Sequence, residues 1–164
     1  MVVLIRPIKP NETEAAVGLI LSVARGVFGW EKSLAEILQQ PQWQAEFADV
    51  RNYQDRYLAG GGRFLVAVDD DQLIGTGAIR IEGYSAEIKR LWLAEAYQKQ
   101  GLGYRLLTQL LDAAAAQEVS EVRLATDMKQ VRAIAFYQQA GFKQIEPFDH
   151  YDTVFMALDL SQWE

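Results

Sequence analysis

Gln98-Lys99-Gln100-Gly101-Leu102-Gly103-Tyr104 is the segment of this sequence with the most chemical content. Two glycines two positions apart let a backbone turn tightly and approach a ligand without Cβ obstruction. Leu102, Leu106, Leu107, Leu110, Leu111 and Ala114 follow at helical spacing, so the segment opens a helix. The unpaired N–H groups of a first helical turn point outward, and the helix dipole favours an anion there. A pyrophosphate is a natural guest; a plain strand-to-helix turn would use the same two glycines. A P-loop would need Gly-Lys-Ser/Thr next, and the dinucleotide fingerprint would need glycine where Leu106 stands.

Composition narrows the chemistry further. The 164 residues contain no cysteine, which excludes a thiolate nucleophile, a disulfide framework and a Cys-ligated zinc. A single histidine, His150, stands beside Asp149 and Asp152 and reads as an exposed loop residue, so no metal is expected. Asp69-Asp70-Asp71 reads as turn chemistry rather than a metal cluster. The formal net charge of -6 disfavours nucleic acid and anionic membranes as partners and would suit a cationic substrate. Lys89-Arg90 is too short a basic run to alter that. No stretch approaches the run of about 20 apolar residues that a membrane helix needs. The first residues lack a leader pattern and read as a strand. A cytoplasmic location is the default expectation.

The elements that must position the glycine segment can be traced along the chain. Residues 2–5 read as a strand, and Asn11 with Glu14 resembles a capping box opening a helix on Ala15, Ala16, Leu19, Ile20 and Val23. Ser33 and Glu36 give a second capping box, for a short helix that Pro41 stops. Tyr53 and Tyr57 would share one helical face. Residues 63–68, 73–81 and 86–93 then read as three strands joined by short turns, an antiparallel meander. After the leucine-faced helix come a strand at 119–126, a helix at 131–140 ended by Gly141, and a strand at 151–160. The helical crossover makes strands 86–93 and 119–126 parallel. One α/β domain spanning residues 1–164, with a mixed and mostly antiparallel sheet flanked by helices, follows.

Two motifs in this order carry a family resemblance. Gln98, Gly101 and Gly103 resemble the Q/R-x-x-G-x-G/A signature of the GNAT superfamily of N-acetyltransferases. Ala133-Ile134-Ala135-Phe136-Tyr137-Gln138-Gln139-Ala140-Gly141-Phe142 resembles its A-x-x-x-Y-x-x-x-G-F region. The element order resembles the family over about residues 1–160. The resemblance implies that strands 86–93 and 119–126 splay apart, with coenzyme A entering the gap. Backbone groups of Leu91, Trp92 and Leu93 would pair with the pantetheine arm, and amides of Gln98, Lys99, Gln100, Gly101, Leu102, Gly103 and Tyr104 would hold the pyrophosphate. Gln130 stands where many relatives carry asparagine, and its longer amide would contact the pantetheine region.

The implied activity is transfer of an acetyl group from acetyl-CoA to a primary amine by direct attack in a ternary complex. A lysine-like amine with a pKa near 10.4 is neutral in only about one molecule in 10³ at pH 7, so a proton acceptor is useful. Glu87, eleven residues before Gln98, stands where some relatives carry a catalytic glutamate. The bland reading of Glu87 is a surface carboxylate paired with Lys89 or Arg90. Tyr137 holds the motif's tyrosine position and would protonate the departing CoA thiolate; otherwise it packs its helix. The acceptor side would be built from residues 27–62 and 148–151. There Phe28, Trp30, Trp43, Tyr53 and Tyr57 either line a pocket or, for most of them, pack the helices. A homodimer would be common for the family. A non-catalytic acyl-CoA-binding module on the same fold is the alternative function, and a generic nucleotide-binding protein a third.

Overall fold

The structure is a computed structural model and describes residues 2–145 and 152–163; His150 and the 148–151 part of the expected acceptor side lie outside the described residues. Seven strands form one sheet: β1 (Val3–Pro7), β2 (Arg63–Asp69), β3 (Gln72–Glu82), β4 (Ser85–Leu93), β5 (Glu121–Asp127), β6 (Lys143–Gln144) and β7 (Thr153–Asp159). Their order is β1-β2-β3-β4-β5-β7-β6, and among the described residues only β4 and β5 run parallel. The helices are α1 (Thr13–Phe28), α2 (Leu34–Leu38), α3 (Pro41–Glu46), α4 (Ala48–Arg51), α5 (Tyr53–Arg56), α6 (Leu102–Ala116) and α7 (Val131–Gln139).

The sheet divides two apolar clusters. On one face, α6 buries Leu102, Leu106, Leu107, Leu110, Leu111 and Ala114, the stripe that its spacing predicts, against Ile79, Ala86, Ile88 and Val122. It seats closely because β3 carries Gly77 beneath it: a Cβ there would come within 3.0 Å of Leu91 and 3.2 Å of Leu110. On the other face, α1 and the short helices α2 to α5 bury Ile20, Leu21, Phe47, Val50 and Tyr57. Tyr53 and Tyr57 share one face as expected, and both rings meet Phe64 edge-on, at 6.1 and 5.6 Å.

Three local expectations are corrected. Asn11 does not cap α1; it lies inside a 3-10 turn, Pro10–Glu12, and α1 starts at Thr13. Glu12 sets that entry instead, accepting the Lys9 N–H at 2.8 Å and a two-pronged contact from Arg6 at 2.8 Å. The Arg6 hydrogen bonds draw the Glu12 carboxyl down to about 2, against a smaller opposing effect of burial. The buried stripe of α1 is Ala16, Val17, Ile20, Leu21 and Ala24, displaced by one residue from the expected one, with Ala15 exposed. The Ser33–Glu36 capping box forms as expected, whereas Pro41 opens α3 at its first turn after α2 has ended at Leu38.

Candidate active site

The parallel strands β4 and β5 pair over only three positions, Ser85–Glu121, Ala86–Val122 and Glu87–Arg123. Beyond Glu87, β4 continues to Leu93 bonded to β3 alone, while β5 continues to Asp127 bonded to β7. The strands therefore splay, and among the described residues the β5-facing edge of residues 88–93 has no strand partner. Such an edge is a template for any extended ligand able to exchange N–H and C=O bonds.

A bulge shapes that edge. Thr76 of β3 faces Trp92, but Ala78 faces Lys89, so β4 holds one residue more than β3 across this step. Arg90 absorbs the surplus with φ +56, a left-handed conformation rare for a residue with a Cβ. The insertion restores Leu91 and Leu93 to the α6 face alongside Ile88 and leaves Trp92 against the α1 face. Thr76 Oγ1 donates to the Arg90 carbonyl at 2.7 Å, tying the bulge to β3.

Arg90 is anchored from the helical side. Its guanidinium donates to both oxygens of Asp49, at 3.1 and 2.6 Å, and to the Glu46 carbonyl at 2.7 Å, and lies 4.8 Å over the Phe47 ring. The hydroxyl of Tyr57 donates to the same Asp49 carboxylate. Burial alone would push Asp49 up, but the bonds from Arg90 and Tyr57 prevail and hold it below the ordinary carboxylate range. Burial, reinforced by Asp49, pushes Tyr57 well above the usual phenol range.

The glycine segment lies between β4 and α6. Gln98 ties back to the strand by donating to the Leu93 carbonyl at 2.9 Å. Lys99 and Gly101 both take positive φ, +63 and +83. Gly101 is the N-cap of α6 and offers no side chain to its first-turn N–H groups, so Leu102, Gly103 and Tyr104 leave theirs available to a ligand. A Cβ on Gly101 would meet nothing within 4 Å, so glycine is needed there for its φ; a Cβ on Gly103 would stand 3.6 Å from Phe136 of α7. A strand-like slot between β4 and β5 leading to an anion-competent helix start fits a phosphorylated cosubstrate with an extended arm.

Tyr137 lies in α7, buried with its ring edge-on to Phe136 and Phe142 at 5.4 and 5.7 Å. Burial raises its pKa beyond the ordinary phenol range, so it is protonated at every physiological pH. Glu87 lies at the last paired position before the splay and forms ion pairs with Arg80 at 3.1 Å and Lys89 at 3.9 Å. Of the cations considered from sequence, Lys89 does pair with it, but Arg90 is committed to Asp49.

A cleft of about 450 Å³ opens beside the splay on the α1 face, and Trp92, Gln130, Arg90 and Asp127 line it together with Phe28, Trp30, Trp43, Glu46 and Phe47. Glu87 is not among its lining residues. The sequence points to Trp92 and Gln130, and to Phe28, Trp30 and Trp43 on the acceptor side, but not to Asp127, Phe47 or the Arg90–Asp49 pair. Asp127 ends β5 as part of a turn and resembles many turn aspartates; Asp49 and Arg90 are 41 residues apart, with no local signal joining them. Among the described residues no group of His, Asp or Glu is arranged to hold a metal ion, and no helix is long and apolar enough to cross a membrane.

Comparison with known proteins places this geometry. The model of a family described as the acetyltransferase (GNAT) family matches residues 30–142. An "IAA acetyltransferase" of Azospirillum brasilense is 37% identical over 91 residues, 54% of this chain and 60% of that protein. Human "N-acetyltransferase 8" is 32% identical over 103 residues, 58% of this chain and 45% of the relative. The match thus spans about half the length of these curated relatives. Among solved structures, the PaiA N-acetyltransferase of Thermoplasma acidophilum in complex with coenzyme A superposes with a TM-score of 0.82 at 21% identity, covering 97% of this chain and 99% of that one. That likeness is one of fold.

Proposed function

This chain belongs to the acetyltransferase (GNAT) family, and from that premise we propose that it transfers an acyl group, acetyl by preference, from acyl-CoA to a primary amine. The observation that carries the reading is the open β4 edge at residues 88–93 running into the glycine-capped start of α6. In this reading the backbone of Leu91, Trp92 and Leu93 bonds the pantetheine arm, and the amides of residues 98–104 hold the pyrophosphate. Gln130 contacts the arm from the α7 side.

The reaction is a direct displacement. The amine nitrogen forms a bond to the thioester carbonyl carbon, the carbon–sulfur bond breaks, and sulfur leaves with the electron pair. The attacking nitrogen loses one proton and the thiolate gains one. Tyr137, protonated because it is buried, is the donor to sulfur, and Glu87 is the acceptor from nitrogen, through water since it lies outside the cleft. Most of the acceleration comes from holding the amine against the thioester while backbone N–H groups of the open edge polarise the carbonyl.

The test is a panel of amines incubated with acetyl-CoA and protein, with released CoA thiol as the readout and calorimetry for CoA binding. Turnover on at least one amine supports transfer. Micromolar CoA binding without turnover on any amine would favour a non-catalytic acyl-CoA-binding module, and absence of CoA binding would remove the reading altogether.

A further inference from the structure

The cleft beside the splay has two chemically different ends. Trp92 of β4, Asp127 at the end of β5 and Gln130 at the head of α7 form the end against the strand gap. The opposite end belongs to α1, α3 and the segment between them, and its surface is aromatic. Phe28 stacks on Trp30 at 5.6 Å, Trp30 meets Trp43 at 5.2 Å, and Trp43 stacks on Phe47 at 6.3 Å. Aromatic rings held against one another in this way present a large apolar wall whose order is already established before a ligand arrives.

Charge in the cleft is mostly committed within the protein. Arg90 is engaged by both Asp49 oxygens, and the Glu46 carboxylate lies 3.9 Å from the same guanidinium. Asp127 differs. Its Oδ1 accepts the Lys129 N–H at 2.8 Å, which orients the carboxylate, and no cationic side chain pairs with it among the described residues. One uncommitted anion therefore stands at the end where the amine must sit, and an aromatic wall stands at the other. The volume, about 450 Å³, lies in the range of small-molecule sites.

We infer that the acceptor is a small monocationic amine on an apolar, aromatic body, its ammonium held by Asp127 and its ring against Trp30 and Trp43. The inference rests on the acyl-transfer reading above and specifies its substrate class. A second ammonium on the acceptor would find only Glu46 at the aromatic end, whose carboxylate already faces the Arg90 guanidinium at 3.9 Å. A carboxylate on the acceptor would meet Asp127 with no free arginine to receive it. Both are disfavoured by the cost of stripping water from an unpaired charge.

The experiment compares 2-phenylethylamine with ethylamine, 1,4-diaminobutane and phenylalanine as acceptors, corrected for each amine's neutral fraction. Tryptophan fluorescence of the CoA-bound protein supplies an independent binding readout. The kcat/KM for 2-phenylethylamine should exceed each of the others by at least tenfold. Trp43→Ala should reduce the phenylethylamine-to-ethylamine ratio at least tenfold, and Asp127→Asn should raise the KM for 2-phenylethylamine at least tenfold with CoA affinity unchanged. A preference for the diamine or for phenylalanine, or a ratio unmoved by Trp43→Ala in a folded variant, overturns the inference and leaves acyl transfer standing. If no amine is acetylated although CoA binds, the transfer reading fails alone. Saturable quenching by 2-phenylethylamine, lost in Trp43→Ala, then still supports the site, and its absence overturns it.

Discussion

Replacing Arg90 by glycine isolates what the ion pair behind the bulge contributes. Removing one partner of a buried pair costs about 3–5 kcal/mol, chiefly because the other charge is left uncompensated. The side chains of Arg90 and Asp49 keep 15% and 14% of their exposure, so residual solvent puts the loss near the lower limit, about 3 kcal/mol. Glycine returns about 1 kcal/mol, since φ +56 no longer carries the penalty of a Cβ. The net expectation is a loss of about 2 kcal/mol, a fall of about 1 M in the urea midpoint at pH 7. Adding Asp49→Asn removes the stranded charge but keeps an acceptor for Tyr57, and should recover about half of that loss. The sign with pH follows from the same groups. In the parent chain Asp49 is held below its ordinary value, so its contribution is present above the unfolded carboxylate range and lost on acidification. In the Arg90→Gly variant the stranded Asp49 is raised by burial, so acidification relieves it. The difference between the two proteins should shrink as pH falls through the carboxylate range. A single-variant cost below about 0.5 kcal/mol, or a double variant less stable than the single, would falsify the assigned role of the pair.

Four further outcomes are expected. Tyr137→Phe keeps the ring between Phe136 and Phe142, so the melting temperature should hold while kcat falls about 10–10³-fold; unchanged turnover would make Tyr137 a packing residue only. Glu87→Gln should lower kcat/KM about 10²-fold at pH 7 and recover part of it near pH 9–10, where more amine is neutral. A constant mutant-to-parent ratio from pH 6.5 to 9.5 rules it out as a proton acceptor. Gly103→Val sends methyl groups into the space between α6 and Phe136, and calorimetry should register at least a tenfold loss of CoA affinity, about 1.4 kcal/mol, in a folded protein. Glu12→Gln should destabilise by about 1–2 kcal/mol at pH 7. Because the folded value is depressed to about 2, urea midpoints of variant and parent should converge between about pH 5 and pH 2, and parallel curves would exclude the Arg6–Glu12 contact as the cause.

Legibility from sequence followed how local each determinant is. The α6 stripe, the Ser33–Glu36 cap and the Asp70-Asp71 hairpin turn depend on residues within a few positions of one another, and each forms as read. The α1 stripe came out one residue displaced because alanine occupies both buried and exposed sites there, and tertiary packing decides between Ala15 and Ala16. β6 is only two residues long, too short for any alternation to reveal it. In the candidate site, the glycine segment was visible because helix starts and left-handed turns have compositional signatures. The bulge was invisible because arginine is not a residue that announces positive φ. What makes it tolerable, Asp49 and Thr76, lies 41 and 14 residues away along the chain.

The three paired positions joining β4 to β5 also govern how the molecule should behave without and with its cosubstrate. They make the sheet two half-sheets sharing a short seam, and those amides of residues 88–93 that point away from β3 face an opening instead of a neighbour. Those amides are the natural place for fast deuterium uptake in the free protein, even though the adjoining α6 helix is seated in the core. An extended ligand in the opening acts as the missing strand, slowing uptake along both lips of the seam at once. At a concentration a hundred times its dissociation constant, such a ligand adds about 2.7 kcal/mol to the folded state. For a chain of this size that is a rise of roughly 5–10 °C in melting temperature. If the proposed reading holds, the fold is left open at its cosubstrate slot, and bound cosubstrate would stiffen it there.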